Sequence, residues 1–250
     1  MRCLKMNFRN FSCAFSASIV LALPCAAYSE GKSFWDGFKE GGPYVGIAGT
    51  LSLFEDIDGH APALGASATE NFKPGVFGGV VAGWGFSNGF AVDVLGLYSY
   101  SEADYLSDLP VDSDQWGSQK SYGFMIEGYK AFDLTQYDVD WVKPYVGVGV
   151  GALWTSIGAL IRFEDGSTNE FGGDIGPTLA WEIIVGAAFP VKSVQGMSII
   201  ADYRFIGLHD PDDFEHTYKP AGGGREISGK VTPQDNILGS LFLVGVSYAF

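Results

Sequence analysis

Phe242-Leu243-Val244-Gly245-Val246-Ser247-Tyr248-Ala249-Phe250 closes the chain with large apolar residues alternating with small ones. A period of two places Phe242, Val244, Val246, Tyr248 and Phe250 on one face of a strand and Leu243, Gly245, Ser247 and Ala249 on the other. One face is wide and oily, the other narrow. Seven earlier segments repeat this pattern at roughly ten residues each, the length a tilted strand needs to cross a bilayer.

In chain order the predicted strands are Tyr44–Leu53, Gly75–Phe86, Phe90–Tyr100, Ser121–Phe132, Pro144–Trp154, Leu179–Phe189, Met197–Phe205 and Ile237–Phe250. Ser87-Asn88-Gly89 joins the second to the third, and Asn-Gly between alternating runs marks a hairpin. The connections after the second, fourth and sixth strands are short, and those after the first, third, fifth and seventh are long. A soluble sandwich gives no reason for such regularity, whereas a membrane barrel has short turns on one side and long loops on the other. No run after the first thirty residues is both apolar and long enough, about 18 residues, for a membrane helix.

The expected fold class is therefore all-β, an eight-stranded antiparallel up-and-down transmembrane β-barrel. Closure follows because every backbone N–H and C=O in hydrocarbon must be paired, which an open sheet edge cannot achieve. Eight strands enclose an interior that side chains just fill, so no wide aqueous pore is expected. Threading the strands up and down also gathers the rings into two girdles. Trp84, Phe86, Phe90, Phe132, Phe189, Tyr248 and Phe250 fall near one rim; Tyr98, Tyr100, Tyr122, Trp154, Trp181, Tyr203 and Phe205 fall near the other.

A final strand with outward rings and a terminal Phe resembles the outer-membrane β-barrel proteins of Gram-negative bacteria. The stretch from Tyr44 to Phe250 is similar to the eight-stranded OmpA-like and OmpX-like barrels, including the small porin-family surface proteins of α-proteobacteria. That resemblance implies that Phe250, with Tyr248, is the signal read by the barrel-assembly machinery. It also implies a place in the cell outer membrane, in contact with its lipids and lipopolysaccharide. The role it points to is structural and interactive: envelope integrity, adhesion or host interaction through long acidic extracellular loops. A narrow porin-like channel for small ions or solutes is the alternative, and a lipid A-modifying enzyme a third.

Residues 1–29 read as a signal peptide. Arg2, Lys5 and Arg9 precede the apolar stretch from Ala14 to Ala27, and cleavage after Ala27 or Ser29 satisfies the small-residue preference. All three cysteines, Cys3, Cys13 and Cys25, lie in that segment, so the mature chain is expected to have no disulfide. Residues 30–43, with Phe34-Trp35-Asp36-Gly37-Phe38-Lys39, are expected to be a short periplasmic segment, and 44–250 the barrel domain. The formal net charge of −14 disfavours nucleic acid as a partner. Carboxylates crowd the long connections, among them Asp112-Ser113-Asp114 and Asp210-Pro211-Asp212-Asp213, and neither cluster carries a complete Ca²⁺ loop.

Inside the barrel the period of two leaves Asp93, Glu127, Lys143, Glu182, Asp202 and Arg204 facing the lumen. Charges in so narrow a space must be paired, and a network centred on Arg204 is the expected arrangement. No catalytic, cofactor-binding or metal-binding residue is expected. The histidines, His60, His209 and His216, are all assigned to long loops, where a solvated ring is the ordinary outcome.

Overall fold

Each strand forms where the period-two pattern predicts it, and the backbone ladder closes. The computed structural model describes residues 41–54, 57–61, 66–72, 75–107, 114–209, 211–233 and 236–250. The predicted signal peptide and most of the segment 30–43 lie outside these residues, as do Asp112, Ser113 and Asp210 of the acidic clusters.

The strands are β1 (Gly42–Phe54), β2 (Ile57–Ala61), β3 (Ala66–Phe72), β4 (Gly75–Gly85), β5 (Phe90–Ser107), β6 (Asp114–Ala131), β7 (Lys143–Arg162), β8 (Thr168–Pro190), β9 (Met197–His209), β10 (Phe214–Lys219), β11 (Ile227–Pro233) and β12 (Asn236–Ala249). Eight of them, β1, β4, β5, β6, β7, β8, β9 and β12, pair antiparallel with their neighbours in that order. The seam between β1 and β12 runs from Tyr44↔Ala249 to Phe54↔Gly239 and leaves no edge. This is the closed eight-stranded antiparallel barrel the sequence predicts.

The long connections differ from expectation. They are not loops for most of their length: β5, β6, β7 and β8 run for 18, 18, 20 and 23 residues, against the 9–11 or so that a membrane crossing needs. Beyond the crossing, the short strands β3, β2, β11 and β10 take over the hydrogen bonding that β1, β4, β9 and β12 no longer supply. β3 pairs with β5 and β2, β2 with β11, β11 with β10, and β10 with β8. The result is a collar in which the ring closes a second time. The physical reason is that extended strands carry backbone groups that need partners wherever they go, and a continued ladder supplies them. The opposite end has short turns only, at Ser87–Gly89, around a single 3-10 turn at Thr135–Tyr137, and at residues 191–196.

The two faces of the wall are chemically distinct. Outward residues such as Val80, Val92, Val148, Ile183 and Val244 are exposed, while their sequence neighbours Ala91, Leu95, Ile184 and Leu243 are buried. Outward rings pair across strands near the collar, as with Tyr122 stacked on Trp154 at 5.9 Å and Tyr203 beside Phe242 at 5.1 Å. At the short-turn end Tyr248 meets Phe250 edge-on at 5.4 Å. Such rings sit comfortably at a membrane interface because their bodies are apolar and their tips polar.

The lumen is filled in layers. Toward the short-turn end lie Tyr44, Ala91, Ala131, Tyr145, Ile184, Ala188 and Ala249. A wholly apolar layer follows, made of Phe77, Leu95, Leu97, Met125, Leu153, Ala180, Ile206, Leu208, Leu241 and Leu243. Above it the hydroxyls of Ser121 and Thr155 bond at 2.9 Å, and the collar closes over Ile157, Ile175, Phe214 and Val231.

The division between membrane wall and collar on one strand makes a direct test. Val148→Arg, on the outward face of β7 within the membrane, is expected to cost about 2–4 kcal/mol. Gly158→Arg, outward on the same strand but in the collar with open space around its Cα, is expected to stay within about 0.5 kcal/mol of the parent. Urea unfolding of the liposome-embedded protein measures both.

Candidate functional site: the ionic cluster in the lumen

The charged residues that the sequence places inside come together below the apolar layer because the register aligns them. One row across the wall reads Tyr44 (β1), Gly83 (β4), Asp93 (β5), Glu127 (β6), Gly149 (β7) and Glu182 (β8). Four residues nearer the short-turn end on β7, a second row reads Tyr145, Gly186 (β8) and Asp202 (β9). Arg204 follows Asp202 by two residues on β9 and so shares its inward face.

Arg204 is the hub. Its Nε donates to Asp202 Oδ1 at 2.9 Å, and its Nη1 to Glu127 Oε1 at 2.6 Å and Glu182 Oε2 at 3.2 Å. Nη2 reaches the Tyr129 hydroxyl at 3.5 Å. Guanidinium suits this role because its planar fork presents five donors at fixed angles, enough for three carboxyl groups on three strands. The arginine and all three of its carboxyl partners are buried.

Two tyrosines complete the cluster by the same device used twice. Tyr44 crosses over Gly83 on the adjacent strand and donates to Asp93 Oδ2 at 2.5 Å on the next. Tyr145 crosses over Gly186 and donates to Asp202 Oδ2 at 2.9 Å. The glycines are required: a Cβ on Gly83 or Gly186 would stand 2.6 Å from the Cζ of the tyrosine lying over it. The repetition is legible in the sequence, where Pro43-Tyr44-Val45-Gly46 recurs as Pro144-Tyr145-Val146-Gly147 at the start of β1 and β7. Reading the strands singly missed both tyrosines as site residues; comparing them would have shown the repeat.

With this geometry established, comparison with known proteins places the chain. No family model matches it. An outer membrane protein of Gluconacetobacter diazotrophicus is 32% identical over 220 residues, covering 84% of this chain and 57% of the relative. A major outer membrane protein of Thermus thermophilus superposes with a TM-score of 0.52 at 13% identity, over 83% of this chain and 99% of that one. The outer membrane protease OmpT of Escherichia coli gives the same score at 8% identity, over 84% and 97%. The chain is a closed eight-stranded barrel with the fold of outer-membrane β-barrel proteins. It spans little more than half the length of the outer membrane protein it matches.

Within this barrel the six residues predicted to share the lumen divide into two groups. Asp93, Glu127, Glu182, Asp202 and Arg204 meet in one cluster. Lys143 is buried at the short-turn mouth, where its Nζ donates to Asp133 Oδ1 at 2.8 Å, in a separate ion pair with the β6–β7 connection. The period of two places it inward, but its stem runs toward the mouth, where Asp133 accepts from its ammonium. Tyr248 and Phe250 stand at the rim of the closing seam, Tyr248 opposite Val45 and the Phe250 amide donating to the Pro43 carbonyl at 3.2 Å.

The three histidines assigned to loops are all in strands instead: His60 lies in β2, His209 ends β9 and His216 lies in β10. His216 is buried, its ring 4.6 Å from that of Phe171 and its Nε2 3.4 Å from Asn169 Oδ1. A solvated ring was expected because the short, polar-rich strand β10 reads as part of a long loop. Burial holds the imidazole below its ordinary range, so the folded collar favours the neutral ring.

Removing the hub leaves the carboxyl groups without their cation. Arg204→Met is expected to destabilise the barrel by about 3–5 kcal/mol, read as a lower urea midpoint or gel-shift temperature, with Arg204→Lys intermediate because a point charge cannot serve three carboxyls. His216 makes the opposite end sensitive to acid. Its contribution is complete at pH values above the unfolded value of about 6.5 and is lost as pH falls below that toward the depressed folded value. Limited proteolysis of the 220–226 segment should therefore quicken on acidification, and His216→Phe should abolish the dependence.

Proposed function

We propose that this barrel is a closed, non-conducting surface protein that stabilises the outer membrane and presents its collar to the exterior as an interaction platform. The observation that carries the reading is the apolar layer across the lumen. Phe77, Leu95, Met125, Leu153, Leu241 and Leu243 come from β4, β5, β6, β7 and β12 and meet in the middle, all less than 9% exposed. An ion crossing this layer would lose most of its hydration shell. The cavity within the layer, bordered by Glu182 on one side and by Ser99, Gln119 and Ser121 on the other, is only about 20 Å³, too small for a hydrated ion, which favours the structural reading over a porin-like channel.

The collar supports the interactive half of the proposal. It is a hydrogen-bonded continuation of the wall, and its outward face carries charges of both signs, including the pairs Lys219–Glu170 at 2.7 Å and Lys230–Asp213 at 3.7 Å. Lys219 is held above its ordinary range by the hydrogen bond to Glu170 and remains cationic at any physiological pH. Partners under this proposal are the surrounding lipids and lipopolysaccharide, extracellular ligands at the collar, and the assembly machinery through Tyr248 and Phe250.

Catalysis is not part of the reading. The same fold carries the protease OmpT, so the ground is the residues: the buried His216 is packed between Phe171 and Asn169 inside the collar, in a structural setting and not at an open cleft. In planar bilayers the purified barrel is expected to show no sustained conductance steps, whereas a Leu95→Ala, Met125→Ala, Leu243→Ala triple variant is expected to show them. Steps of the parent protein at the variant's size would contradict the proposal.

A further inference from the structure

The cluster around Arg204 holds more acid than one guanidinium can balance. Asp93, Glu127, Glu182 and Asp202 are four carboxyl groups facing a single cation, and full ionisation would leave a surplus of three negative charges in a lumen with an apolar layer above it. The register sharpens the difficulty. Asp93 and Glu127 are directly opposite on β5 and β6, both inward, and like charges in that position repel. Glu127 and Glu182 stand on either side of Gly149, which has no side chain to separate them; a Cβ there would meet Glu182 Oε1 at 2.5 Å.

The hydrogen-bond pattern points the same way. Asp93 Oδ1, Glu127 Oε2 and Glu182 Oε1 are buried and receive no hydrogen bond from any amide, hydroxyl or guanidinium. The register sets the carboxyl of Glu127 between the other two, directly opposite Asp93 on one side and across the bare Gly149 from Glu182 on the other. Buried carboxyl groups set side by side with no donor between them do not all carry a charge; neighbours share a proton, as paired acids do wherever burial forces them together. A small cavity of about 60 Å³ adjoins Asp93 and is also lined by Ser247, whose buried Oγ has no partner, giving the site room for water.

We propose that Asp93, Glu127 and Glu182 form a proton-binding site in the lumen, with two protons held between three carboxyl groups, one on each side of Glu127. The charged and titratable groups facing it are Tyr44 from β1, Tyr129 from β6, Tyr145 from β7, and Asp202 and Arg204 from β9. β12 adds the Ser247 hydroxyl, and β4 contributes only Phe77, Val81 and glycines. With both protons in place the surplus falls from three negative charges to one, while Arg204 keeps its bonds to Glu127 Oε1, Glu182 Oε2 and Asp202 Oδ1. The cluster is then a reversible proton store enclosed by the barrel, and a pair of Gln substitutions reproduces its charge state permanently.

Infrared spectroscopy of the full-length folded protein in lipid bilayers at neutral pH tests this directly, since an un-ionised carboxylic acid has a carbonyl band separate from that of carboxylates. The wild type is expected to show that band. Glu127→Gln is expected to abolish it, because both shared protons depend on Glu127, and Glu182→Gln to halve it; Asp165→Asn, on an exposed turn, is expected to leave it unchanged. If Glu127→Gln does not fold, the halving in Glu182→Gln reads the same point. A wild type without the band overturns the proposal, as does a band that survives Glu127→Gln. So does a wild type without the band whose unfolding temperature rises in sodium chloride over choline chloride of equal strength, which would assign the missing positive charge to a metal cation.

Discussion

Backbone hydrogen bonding in a medium without water is the constraint from which the rest of this structure follows. Hydrocarbon offers no partner to an amide or a carbonyl, so each strand within the membrane must be paired on both sides. The seam between β1 and β12, from Tyr44↔Ala249 to Phe54↔Gly239, meets that demand by joining the first strand to the last. Once the ring is closed, the inside and outside of the wall are fixed, and a shift of one residue would exchange them for a whole strand. The position of every lumen side chain therefore depends on the register of that ring.

The lumen shows how a narrow barrel reconciles charge with burial. Arg204 gathers Asp202, Glu127 and Glu182, and Tyr44 and Tyr145 reach over glycines to hold Asp93 and Asp202. The two tyrosine bridges each tie three consecutive strands together, one in each half of the barrel, so they fasten the register as well as satisfy acids. Above them the apolar layer around Met125 and Leu243 fills the interior, leaving only a cavity of about 20 Å³ within it. A charged cluster closed off on one side by such a layer suits a wall that must stay shut.

Much of this was legible in the sequence, and the limits have physical causes. The eight membrane strands follow from alternation alone, because lipid on one side and a filled lumen on the other impose opposite chemistry on successive residues. Arg204 and four of its neighbours follow from the same rule. Lys143 obeyed the rule for facing inward but not for its partner, since its long stem reaches Asp133 at the mouth. The collar was not legible, because its inward face holds only a few apolar residues among polar ones, so its alternation is too weak to announce a strand; Thr168–Asp174 of β8 and Phe214–Lys219 of β10 read as polar connections. His216 was misplaced for that reason. The tyrosine bridges were visible only as a recurrence of Pro-Tyr-Val-Gly, a signal that lies between strands.

Amide hydrogen exchange of the bilayer-embedded protein, resolved by residue, measures closure at the seam. The account requires that the amides of Val45–Gly49 on β1 and of Val244–Tyr248 on β12 exchange as slowly as those of Val146–Val150 on β7, whose strand has neighbours on both sides in any arrangement. Rapid exchange confined to β1 and β12 would show an open sheet with two free edges, and the account would fail with it.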